Sequence, residues 1–308
     1  MLRPRTGTPD QGAPRPGPTT GPGPRASPTT YPRLRSCLGV PDSSKSDRAS
    51  PYLSHAVGDA LRDLTEKRLL ELVKSEPVPN HLAIIMDGNR RFAAAQGLDI
   101  AKGHAKGRDT AELLLDWCLE VGINVLTIYA LSTENFSRSP QELEALMDLY
   151  ERALRDIATD ERVHRHQIRV RVIGNRALLP ERVRVAIDLA EKATEGYSRY
   201  RFNVALAYGG RDEIVEAIRH LAREVREGRI TPEQIDSDAV SRHLYTADLP
   251  DPDLIFRTSG EERISNFLLW QAAYSELYFS DVLWPGLTRV DFLRAIRAYQ
   301  LRRRRYGE

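Results

Sequence analysis

The sequence predicts an α/β fold in a single domain over residues 51–308, with a mainly parallel central sheet flanked by helices. Short apolar runs typical of buried strands alternate with amphipathic helical patterns along most of this span. Polar groups follow directly after several of the apolar runs, and in open α/β sheets ligands bind at the carboxyl edge of the strands. We therefore expect a ligand site at one edge of the sheet.

The composition limits which functions need to be considered. With 308 residues, of which 41% are hydrophobic, the chain has enough apolar material for a packed core. Its 45 basic and 43 acidic residues leave a net charge of +2, which gives no general attraction for nucleic acid. Cys37 and Cys118 are the only cysteines, so the sequence predicts no disulfide framework or zinc motif and fits a reducing cytoplasm. No apolar stretch approaches the roughly 18 residues of a membrane-spanning helix, so we expect a cytoplasmic protein that meets lipid only at the membrane periphery.

Residues 1–50 differ in composition from the rest of the chain. They are dominated by Pro, Gly, Thr, Ser and Arg and contain few large apolar residues, so burial cannot offset the entropy lost on ordering them. We predict a disordered tail. Its scarcity of acidic residues resembles a transit peptide, but the amphipathic pattern of such peptides and the apolar core of a secretory signal are both missing, which favours a plain extension or a misassigned start.

The first predicted elements are a helix and a strand. Leucines and a valine at helical spacing over residues 61–73 predict an amphipathic helix that ends before Pro77. The uninterrupted apolar run at residues 83–86 predicts a buried parallel strand that stops at Asp87 and Gly88, with another helix just beyond. This strand places Asp87 at the carboxyl edge of the sheet.

The next unit repeats this arrangement. Residues 111–121 carry one apolar helical stripe that Gly122 stops. Residues 124–130 then predict a second strand, which is again followed by polar residues.

A further helix is predicted from a capping box made by Ser139, Pro140 and Glu142. It carries an apolar stripe, which consists of Leu143, Met147, Tyr150, Leu154 and Ile157. Periodicity favours simple core packing for this stripe, and a wall that faces a ligand is the alternative.

The remaining chain continues the alternation of strands and helices. Strands are predicted at residues 168–173, 202–207, 253–256 and 277–279, and helices from Pro180, from Ile214 and from near Val290. The first of these strands alternates Arg with Val and Ile, which indicates one wetter face. No Gly-x-Gly-x-x-Gly and no phosphate-loop lysine follows a strand, so dinucleotide and nucleoside triphosphate sites are disfavoured.

Asp87 and the arginines that follow it favour a magnesium-diphosphate site. A carboxylate that faces a phosphate repels it, so Asp87 beside Arg90 and Arg91 favours a divalent cation between the acid and phosphate oxygens. A plain Asp-Gly turn is the alternative. A phosphatase with an aspartate nucleophile is disfavoured because that chemistry usually wants a second aspartate two positions later, where Asn89 stands.

Arginines that follow predicted strands are candidates for phosphate binding, namely Arg90, Arg91, Arg138, Arg257 and Arg263. Their fork-shaped guanidinium groups suit phosphate oxygens, while a solvated loop is the alternative for each of them alone. One group lies near Asp87 and the other at residues 257–265. Two separate groups predict two phosphorylated ligands rather than one.

Three other polar residues are candidates for the site. His104 is suited to bind phosphate or to donate a proton, or else is an ordinary helix-start residue. Asn135 carries an amide, which is a poor base, so it can hold and polarise a group rather than take its proton. Glu276 has aromatic and aliphatic neighbours, and an acid in such surroundings either pairs with a cation or binds a metal.

Several motifs, in this order along the chain, resemble those of the cis-prenyltransferases, among which the undecaprenyl diphosphate synthases are the most similar type. The motifs are His-Leu-Ala-Ile-Ile-Met-Asp-Gly-Asn-Arg-Arg-Phe at residues 81–92, Gly103-His104, and the stretches at residues 132–138, 207–211 and 253–276. The resemblance runs from Pro77 to Gly307. It implies a homodimeric α/β fold with a hydrophobic tunnel, lined partly by helices, that holds the growing chain.

The resemblance also implies roles for individual residues. Asp87 would bind Mg²⁺ and assist the departure of diphosphate from the allylic substrate, and Glu276 would be a second acid linked to the metal. Asn135 stands where the family places a proposed proton acceptor, with diphosphate or water as alternatives. The substrate-binding residues fall into three sets: Gly88, Asn89, Arg90, Arg91 and Phe92 with His104 at the allylic diphosphate; Ser132, Thr133, Glu134, Phe136 and Arg138 in a substrate-contacting segment; and Arg257, Arg263, Ile264 and Ser265 at isopentenyl diphosphate.

Some positions depart from the common pattern of the family. Phe92 and Phe136 stand where many members carry tryptophan, and Ile100 stands where bacterial enzymes often have a phosphate-binding arginine, a contact that Lys102 could supply. Arg305-Tyr306-Gly307 resembles a C-terminal motif that reaches a neighbouring subunit's site. The Arg-Arg-Phe variant and the lead-in Leu-Leu-Glu-Leu-Val-Lys are more similar to archaeal members, which prefer geranylgeranyl diphosphate as starter.

The resemblance implies sequential condensation of isopentenyl diphosphate with an allylic diphosphate, either geranylgeranyl or farnesyl diphosphate. The product would be a long-chain Z-polyprenyl diphosphate of the undecaprenyl type, a precursor of the glycosyl carrier lipid that is handed to the membrane. A non-catalytic partner subunit and a short-chain Z-prenyl diphosphate synthase are alternatives. Asp87, Arg91, Arg257, Arg263 and Glu276 are all present, which favours catalysis, and a trans-type prenyltransferase is disfavoured because no Asp-Asp-x-x-Asp occurs.

Overall fold

The structure, a computed structural model, describes residues 51–302 of the chain. The disordered tail predicted for residues 1–50 and the motif Arg305-Tyr306-Gly307 both lie outside the described residues.

Six strands form one sheet within residues 51–302, and every neighbouring pair of strands is parallel. The strands are β1 (His81–Ile85), β2 (Val125–Ser132), β3 (Ile168–Ile173), β4 (Tyr200–Tyr208), β5 (Leu254–Arg257) and β6 (Glu276–Phe279). Their order across the sheet is β3-β4-β2-β1-β5-β6. The predicted parallel sheet is confirmed, including the short last strand.

Nine α-helices accompany the sheet in the described part of the chain. They are α1 (Pro51–Lys74), α2 (Asn89–Ala95), α3 (Ile100–Val121), α4 (Pro140–Ile157), α5 (Glu161–Arg165), α6 (Glu181–Thr194), α7 (Gly210–Arg226), α8 (Ser237–Ser241) and α9 (Arg289–Leu301). The five-residue helices α5 and α8 are not predicted, because so few residues show no helical period. Among the helices of residues 51–302, none is long and apolar enough to cross a membrane.

The apolar side chains of β1 divide between the two faces of the sheet. Leu82 and Ile84 belong to a large core cluster with side chains from α3, α4, α6 and α9, whereas Ala83 and Ile85 pack in a second cluster with Tyr129. All of β1 is buried. The strand is an uninterrupted apolar run because both of its faces are covered.

A buried series of side-chain hydrogen bonds links β1, β2 and β4 and begins at His81, which is 0% exposed. Its Nδ1 lies 2.7 Å from the carbonyl oxygen of Pro250, which can only accept, so Nδ1 carries the proton. Nε2 then accepts from the hydroxyl of Thr127 at 2.8 Å, and that hydroxyl accepts from Asn203 at 3.1 Å. Burial lowers the pKa of His81 to about 4, so the folded protein holds a neutral imidazole here.

The order of strands reverses beside β1. The chain first builds β2 on one side of β1, and after β4 it crosses to form β5 on the other side. The segments that follow β1 and β5 therefore meet at a crevice at the carboxyl edge of the sheet, the usual ligand position in such folds. Asp87 follows β1, and Arg257 is the last residue of β5.

Candidate active site

Arg257 ties together the two predicted halves of the site. Its side chain is 4% exposed, and Nη2 donates to Oδ2 of Asp87 at 2.6 Å. Nη1 donates to Oγ of Ser265 at 2.7 Å and to the backbone oxygen of Arg263 at 2.5 Å. One buried side chain thus fixes the position of the candidate metal ligand and of the loop predicted to bind isopentenyl diphosphate.

The backbone around Asp87 is held from several sides. Its N–H donates to Oγ1 of Thr258 at 3.1 Å, while its carbonyl accepts from that hydroxyl at 2.8 Å and from the N–H of Trp284 at 3.0 Å. Gly88 then turns the chain into α2 with φ 110°, and a Cβ there would lie 2.9 Å from Cδ2 of Leu283. Only glycine fits this turn without strain.

The pKa of Asp87 reflects opposing effects. Partial burial raises it, but the hydrogen bond and charge of Arg257, with a smaller effect of Arg91, bring the net pKa below the ordinary 3.8. The nearest nitrogen of Arg91 is 3.9 Å from Oδ1. Asp87 is therefore a carboxylate at neutral pH, with Oδ1 turned away from the tight contact with Arg257.

Glu142, in the first turn of α4, gathers three of the candidate phosphate-binding residues. Its carboxylate accepts from Nε of Arg90 at 2.9 Å and from Arg138 at 3.0 Å, and Nε2 of His104 lies 3.3 Å away. The Glu142 side chain is 8% exposed. Burial raises its pKa, but Arg90 and Arg138 outweigh that effect and the net pKa lies below 4.5, so three basic groups surround one anion.

The predicted capping box of α4 is only half correct. The hydroxyl of Ser139 accepts the N–H of Glu142 at 3.3 Å, and Pro140 begins the helix. The Glu142 side chain does not return the bond, because its carboxylate is engaged with the basic residues. Burial lowers the pKa of His104 below 6.5 despite the nearby Glu142, which favours a neutral imidazole at pH 7.

After β2 the chain forms a short 3₁₀ helix, Thr133–Ser137. The hydroxyl of Ser132 accepts the N–H of Asn135 at 3.2 Å, and Oδ1 of Asn135 accepts the N–H of Ser132 at 3.3 Å. The amide oxygen of Asn135 is therefore already bound to the backbone. This arrangement fits a residue that holds and polarises better than one that takes a proton.

The segments that follow β2 and β5 are joined by hydrogen bonds. Nδ2 of Asn266 donates to Glu134 at 2.9 Å.

Arg263 is 61% exposed and pairs with Glu261, whose carboxylate also lies 3.6 Å from Arg91. Three basic side chains of the site, Arg91 and Arg257 with Arg263, thus already face acids within the chain.

The loop after β5 adopts unusual backbone conformations. Ser259, Ser265 and Asn266 have φ values of 84°, 47° and 63°. Non-glycine residues in this region are strained, and such strain persists where the surrounding structure dictates it, often at functional sites.

A cavity of about 720 Å³ opens beside Asp87 and extends between α3, α4 and the sheet. Predicted site residues from all three segments line its polar end, namely Asp87, Asn89, His104, Ser132, Glu134, Asn135, Arg138, Arg257, Arg263 and Ser265. The structure therefore brings these distant parts of the chain to one site. We call the whole space the apolar cavity because of its remaining walls.

Those walls consist of side chains from α3, α4, β2 and β4, which include Leu115, Ile128, Ala130, Leu146, Leu149, Ala153, Phe202 and Leu206. Tyr150, Leu154 and Ile157 of the predicted α4 stripe also line the apolar cavity. Leu154 also belongs to the main core cluster, and Tyr150 and Ile157 pack against it, so these three residues contribute both to the core and to the cavity wall. Met147 of the same stripe is buried in the core as expected.

Seven other predicted site residues do not line the apolar cavity: Gly88, Arg90, Arg91, Phe92, Thr133, Phe136 and Ile264. Arg90 and Arg91 belong to α2, beside the opening. Phe136 packs against the main core cluster and Ile264 against the smaller one.

Glu276 is not brought to Asp87 within one chain. It begins β6 opposite Leu254, at the amino end of the sheet, whereas Asp87 lies beyond Ile85 at the carboxyl edge. Glu276 is level with Leu82, which precedes Ile85 by three residues, or about 10 Å at roughly 3.3 Å per residue, and Asp87 lies two residues further along the chain. The Glu276 carboxylate accepts from Arg302 at 2.8 Å, so a metal site that includes both acids would need a second copy of the chain.

Several residues that shape the site are missed by the sequence analysis. Glu142 is assigned only to a cap, and Glu261 and Asn266 are assigned no role. The i,i+4 spacing of Arg138 and Glu142 is the one available signal for the acid. Trp284, whose Nε1 donates to the backbone of Gly107 at 2.8 Å, lines the apolar cavity from a segment with no recognisable pattern.

The donors at this site fit a magnesium ion that arrives with a substrate. Within residues 51–302 no cluster of three or more acidic, His or Cys side chains could hold a metal. Asp87 offers a carboxylate, and the buried Oδ1 of Asn89 has no hydrogen-bond partner among the described residues. Mg²⁺ takes oxygen ligands and is usually held by one or two carboxylates together with substrate phosphates.

Comparisons with known proteins agree with the motifs. Residues 85–307 match the family model described as putative undecaprenyl diphosphate synthase. A curated protein of Thermococcus kodakarensis, tritrans,polycis-undecaprenyl-diphosphate synthase (geranylgeranyl-diphosphate specific), is 52% identical over 260 residues, which cover 84% of this chain and 98% of the relative. The protein of the same name from Thermoplasma volcanium is 51% identical over 255 residues, which cover 83% and 99%.

Solved structures show the same fold. Lavandulyl diphosphate synthase from Lavandula x intermedia, solved in complex with dimethylallyl diphosphate, has a TM-score of 0.71 and 38% identity, covering 75% of this chain and 99% of that one. A probable undecaprenyl diphosphate synthase from Campylobacter jejuni has a TM-score of 0.61 and 34% identity, covering 75% and 100%. The family match, the identity over most of the chain and the shared fold establish that this chain is a prenyltransferase of the undecaprenyl diphosphate synthase family, the cis-prenyltransferases.

Proposed function

We propose that this prenyltransferase adds isopentenyl diphosphate repeatedly to geranylgeranyl diphosphate and forms a Z-polyprenyl diphosphate of the undecaprenyl type. The choice of starter and product follows the names of the curated relatives. The observation that carries the proposal is a single cavity whose polar end holds Asp87 and Arg257 and whose body is apolar. Such a space suits a molecule with an anionic head and a long hydrocarbon tail.

The allylic diphosphate is assigned to the Asp87 end, where Gly88 and Asn89 form the turn and Arg90, Arg91 and His104 supply positive or polar groups. Asp87 would hold Mg²⁺ together with phosphate oxygens, and the bound ion would supply positive charge where the leaving diphosphate develops negative charge. Phe92 would contribute an aromatic wall beside the turn.

Isopentenyl diphosphate is assigned to Arg257, Arg263, Ile264 and Ser265. Because Arg257 contacts both Asp87 and Ser265, the two diphosphates would meet on either side of one guanidinium. The segment of Ser132, Thr133, Glu134, Phe136 and Arg138 would close over them. This arrangement brings the double bond of one substrate to the allylic carbon of the other.

The arginines need no new partners to be held in place before substrate binds. Arg90 and Arg138 lie on Glu142, and Arg263 lies on Glu261. A diphosphate can bind guanidinium N–H groups that do not face these acids, while the acids keep the arginines oriented.

The last step of each condensation removes a proton. The amide of Asn135 would orient the proton acceptor, which is the diphosphate or a water molecule, since its own oxygen is bound to the backbone of Ser132. The walls of the apolar cavity would exclude other water, which would otherwise quench the allylic cation.

Glu276 enters the proposal only through a homodimer. We assign it to the neighbouring subunit's metal site, together with Arg305-Tyr306-Gly307 from the C-terminal end. The product would leave for the membrane periphery, where its hydrocarbon chain is taken out of water.

The test is incubation of the purified protein with labelled isopentenyl diphosphate, Mg²⁺ and geranyl, farnesyl or geranylgeranyl diphosphate. We expect the highest kcat/KM with geranylgeranyl diphosphate and products of undecaprenyl length. No incorporation from any starter would overturn the proposal. Activity that appears only after a second, different prenyltransferase chain is added would favour the partner-subunit alternative, and arrest after one or two additions would favour a short-chain synthase.

A further inference from the structure

The end of the apolar cavity far from Asp87 is lined by both apolar and charged side chains. Phe202 lines this end, and it precedes Tyr208 at the carboxyl edge of β4 by six residues, or about 20 Å at roughly 3.3 Å per residue. Asp156 lines it as well and lies fourteen residues beyond Glu142 on α4, or about 21 Å at 1.5 Å per residue. The distances along β4 and α4 therefore agree on a depth of about 20 Å from the polar end of the apolar cavity to its far end.

Charged side chains form part of the wall at this end, beside Ile157 and Val163. Arg108 on α3 donates to Asp156 of α4 at 2.8 Å and to Glu112 at 3.1 Å. Arg162 on α5 lies 3.3 Å from Glu112 and 2.6 Å from Asp160. All five line the apolar cavity, and we call them the ion-pair gate.

The ion-pair gate is also reached by solvent. The side chain of Arg108 is 32% exposed, that of Arg162 35% and that of Asp156 60%. Partly exposed ion pairs contribute only about 0–1 kcal/mol each, whereas removing one buried Leu or Ile from a packed wall costs about 2–5 kcal/mol. The charged part of this end is therefore the part of the cavity wall that opens most easily.

The depth of the cavity is too small for the proposed product. An extended chain advances about 1.1–1.2 Å per backbone bond, as judged from the 3.3–3.6 Å of a three-bond residue, so a four-bond isoprene unit spans about 4.5 Å. A depth of about 20 Å then holds four or five units, fewer than the eleven of an undecaprenyl chain. New units enter at the diphosphate end, so growth drives the tail towards Phe202 and the ion-pair gate.

We propose that the ion-pair gate is an exit for the tail of the growing chain between α3 and the α4–α5 corner. This inference rests on the proposed function. While the chain is short, the paired charges keep the opening closed and cover the apolar interior from water. When the tail reaches them, the Arg108–Asp156 and Arg162–Glu112 pairs part and the tail passes out, so the strength of the pairs sets how long the chain becomes.

The first test compares product lengths at equal extents of reaction. Arg108→Asp places a third acid beside Glu112 and Asp156, and we expect the longest products to gain at least one five-carbon unit. The double variant Arg108→Asp with Asp156→Arg exchanges the partners and should restore the wild-type distribution. The control Arg155→Gln breaks the 3.0 Å pair with Glu151 on the same helix, away from the cavity lining, and should leave lengths and rate unchanged.

The second test needs no activity. A thiol is introduced into the cavity wall by Ala153→Cys, with Cys37→Ser to remove a competing thiol, and its rate of reaction with a water-soluble reagent is measured. We expect Arg108→Asp to raise this rate at least threefold and the exchanged pair to reverse the increase.

The two tests separate the gate from the proposed function. Unchanged product lengths in Arg108→Asp, while the wild type elongates normally, would overturn the gate and leave the proposed function intact. Absence of any incorporation by the wild type would overturn the proposed function, and equal thiol reactivity in all variants would still refute the gate. An increase that the exchanged pair fails to reverse would also refute it, because the effect would not depend on charge pairing.

Discussion

Replacement of Arg257 by lysine should weaken the site in a way that pH can report. Arg257 makes three hydrogen bonds, to Asp87, to Ser265 and to the backbone of Arg263. A lysine ammonium on one stem cannot reproduce the fork that reaches all three. Loss of one hydrogen bond to a charged group costs about 1.5–3 kcal/mol, which corresponds to a roughly 10- to 160-fold lower kcat/KM if the arrangement is needed in the transition state.

The direction in which the pKa of Asp87 changes decides the direction in which the pH profile should move. In the wild type, Arg257 outweighs the effect of burial and holds the pKa of Asp87 below 3.8. In Arg257→Lys burial persists while the main opposing contact weakens, so the pKa rises and the acidic limb of the pH–kcat/KM profile moves to higher pH. The stabilisation linked to a lowered carboxylate pKa is present above the unfolded value and disappears as pH falls through the folded value, so the loss of stability in the variant should shrink towards low pH.

The assays are kcat/KM for isopentenyl diphosphate incorporation from pH 4 to 8 and urea unfolding over the same range. Arg263→Lys is the matched control, because its side chain is 61% exposed and pairs with Glu261 rather than with Asp87. It should raise KM without moving the acidic limb. An Arg257→Lys profile with the wild-type acidic limb, together with a stability difference that does not change with pH, would refute the reasoning.

Three further predictions concern residues away from this contact. Glu142→Gln removes the anion that orients Arg90, Arg138 and His104. KM for the allylic diphosphate should therefore rise about tenfold, which corresponds to about 1.4 kcal/mol of binding free energy, with a smaller change in kcat. An unchanged KM would contradict this role. Ala153→Phe fills part of the apolar cavity, so the product distribution should shift to shorter chains, and wild-type lengths would count against the cavity as the product site. His81 has a folded pKa of about 4 against 6.5 when unfolded, so the wild type should lose about 3 kcal/mol of unfolding free energy as pH falls from 7 to 4, and His81→Gln should show a correspondingly flatter urea-unfolding profile.

Much of the fold follows from local patterns. The apolar run of β1 predicts a strand covered on both faces, and the alternation of Arg with Val and Ile in β3 predicts the half-exposed strand that the structure has at the sheet edge. Gly122 ends α3 with φ 87°, as its position after the apolar stripe predicts. These features depend on residues that are close in the chain, so a single sequence is enough to reveal them.

The arrangement of the site depends more on contacts between distant residues. Glu142 lies 52 residues from Arg90 and 38 from His104, and no local pattern connects them. The same limit explains the α4 stripe, since periodicity defines an apolar face but not the distance between that face and the sheet. Tyr150 therefore looks like a core residue in the sequence, whereas in the structure it packs against the core cluster and also lines the apolar cavity.

The position of Glu276 in the sheet can be deduced from the sequence. The strand predicted at residues 277–279 begins just after it, so Glu276 had to lie at the amino end of a parallel sheet. Asp87 follows its strand and had to lie at the opposite, carboxyl end. Motif order along a chain does not distinguish a residue that precedes a strand from one that follows it, whereas strand direction does.

The most direct measurement of the central claim is a single-turnover condensation by Asp87→Asn, with labelled isopentenyl diphosphate, geranylgeranyl diphosphate and Mg²⁺. The substitution keeps the shape of the side chain and removes the charge that faces Arg257 and the proposed metal-bound diphosphate. We predict a rate at least about 100-fold below the wild type, with the folded far-ultraviolet circular dichroism spectrum retained. A folded Asp87→Asn protein that forms the first condensation product at the wild-type rate would contradict the assignment of this carboxylate to the chemistry.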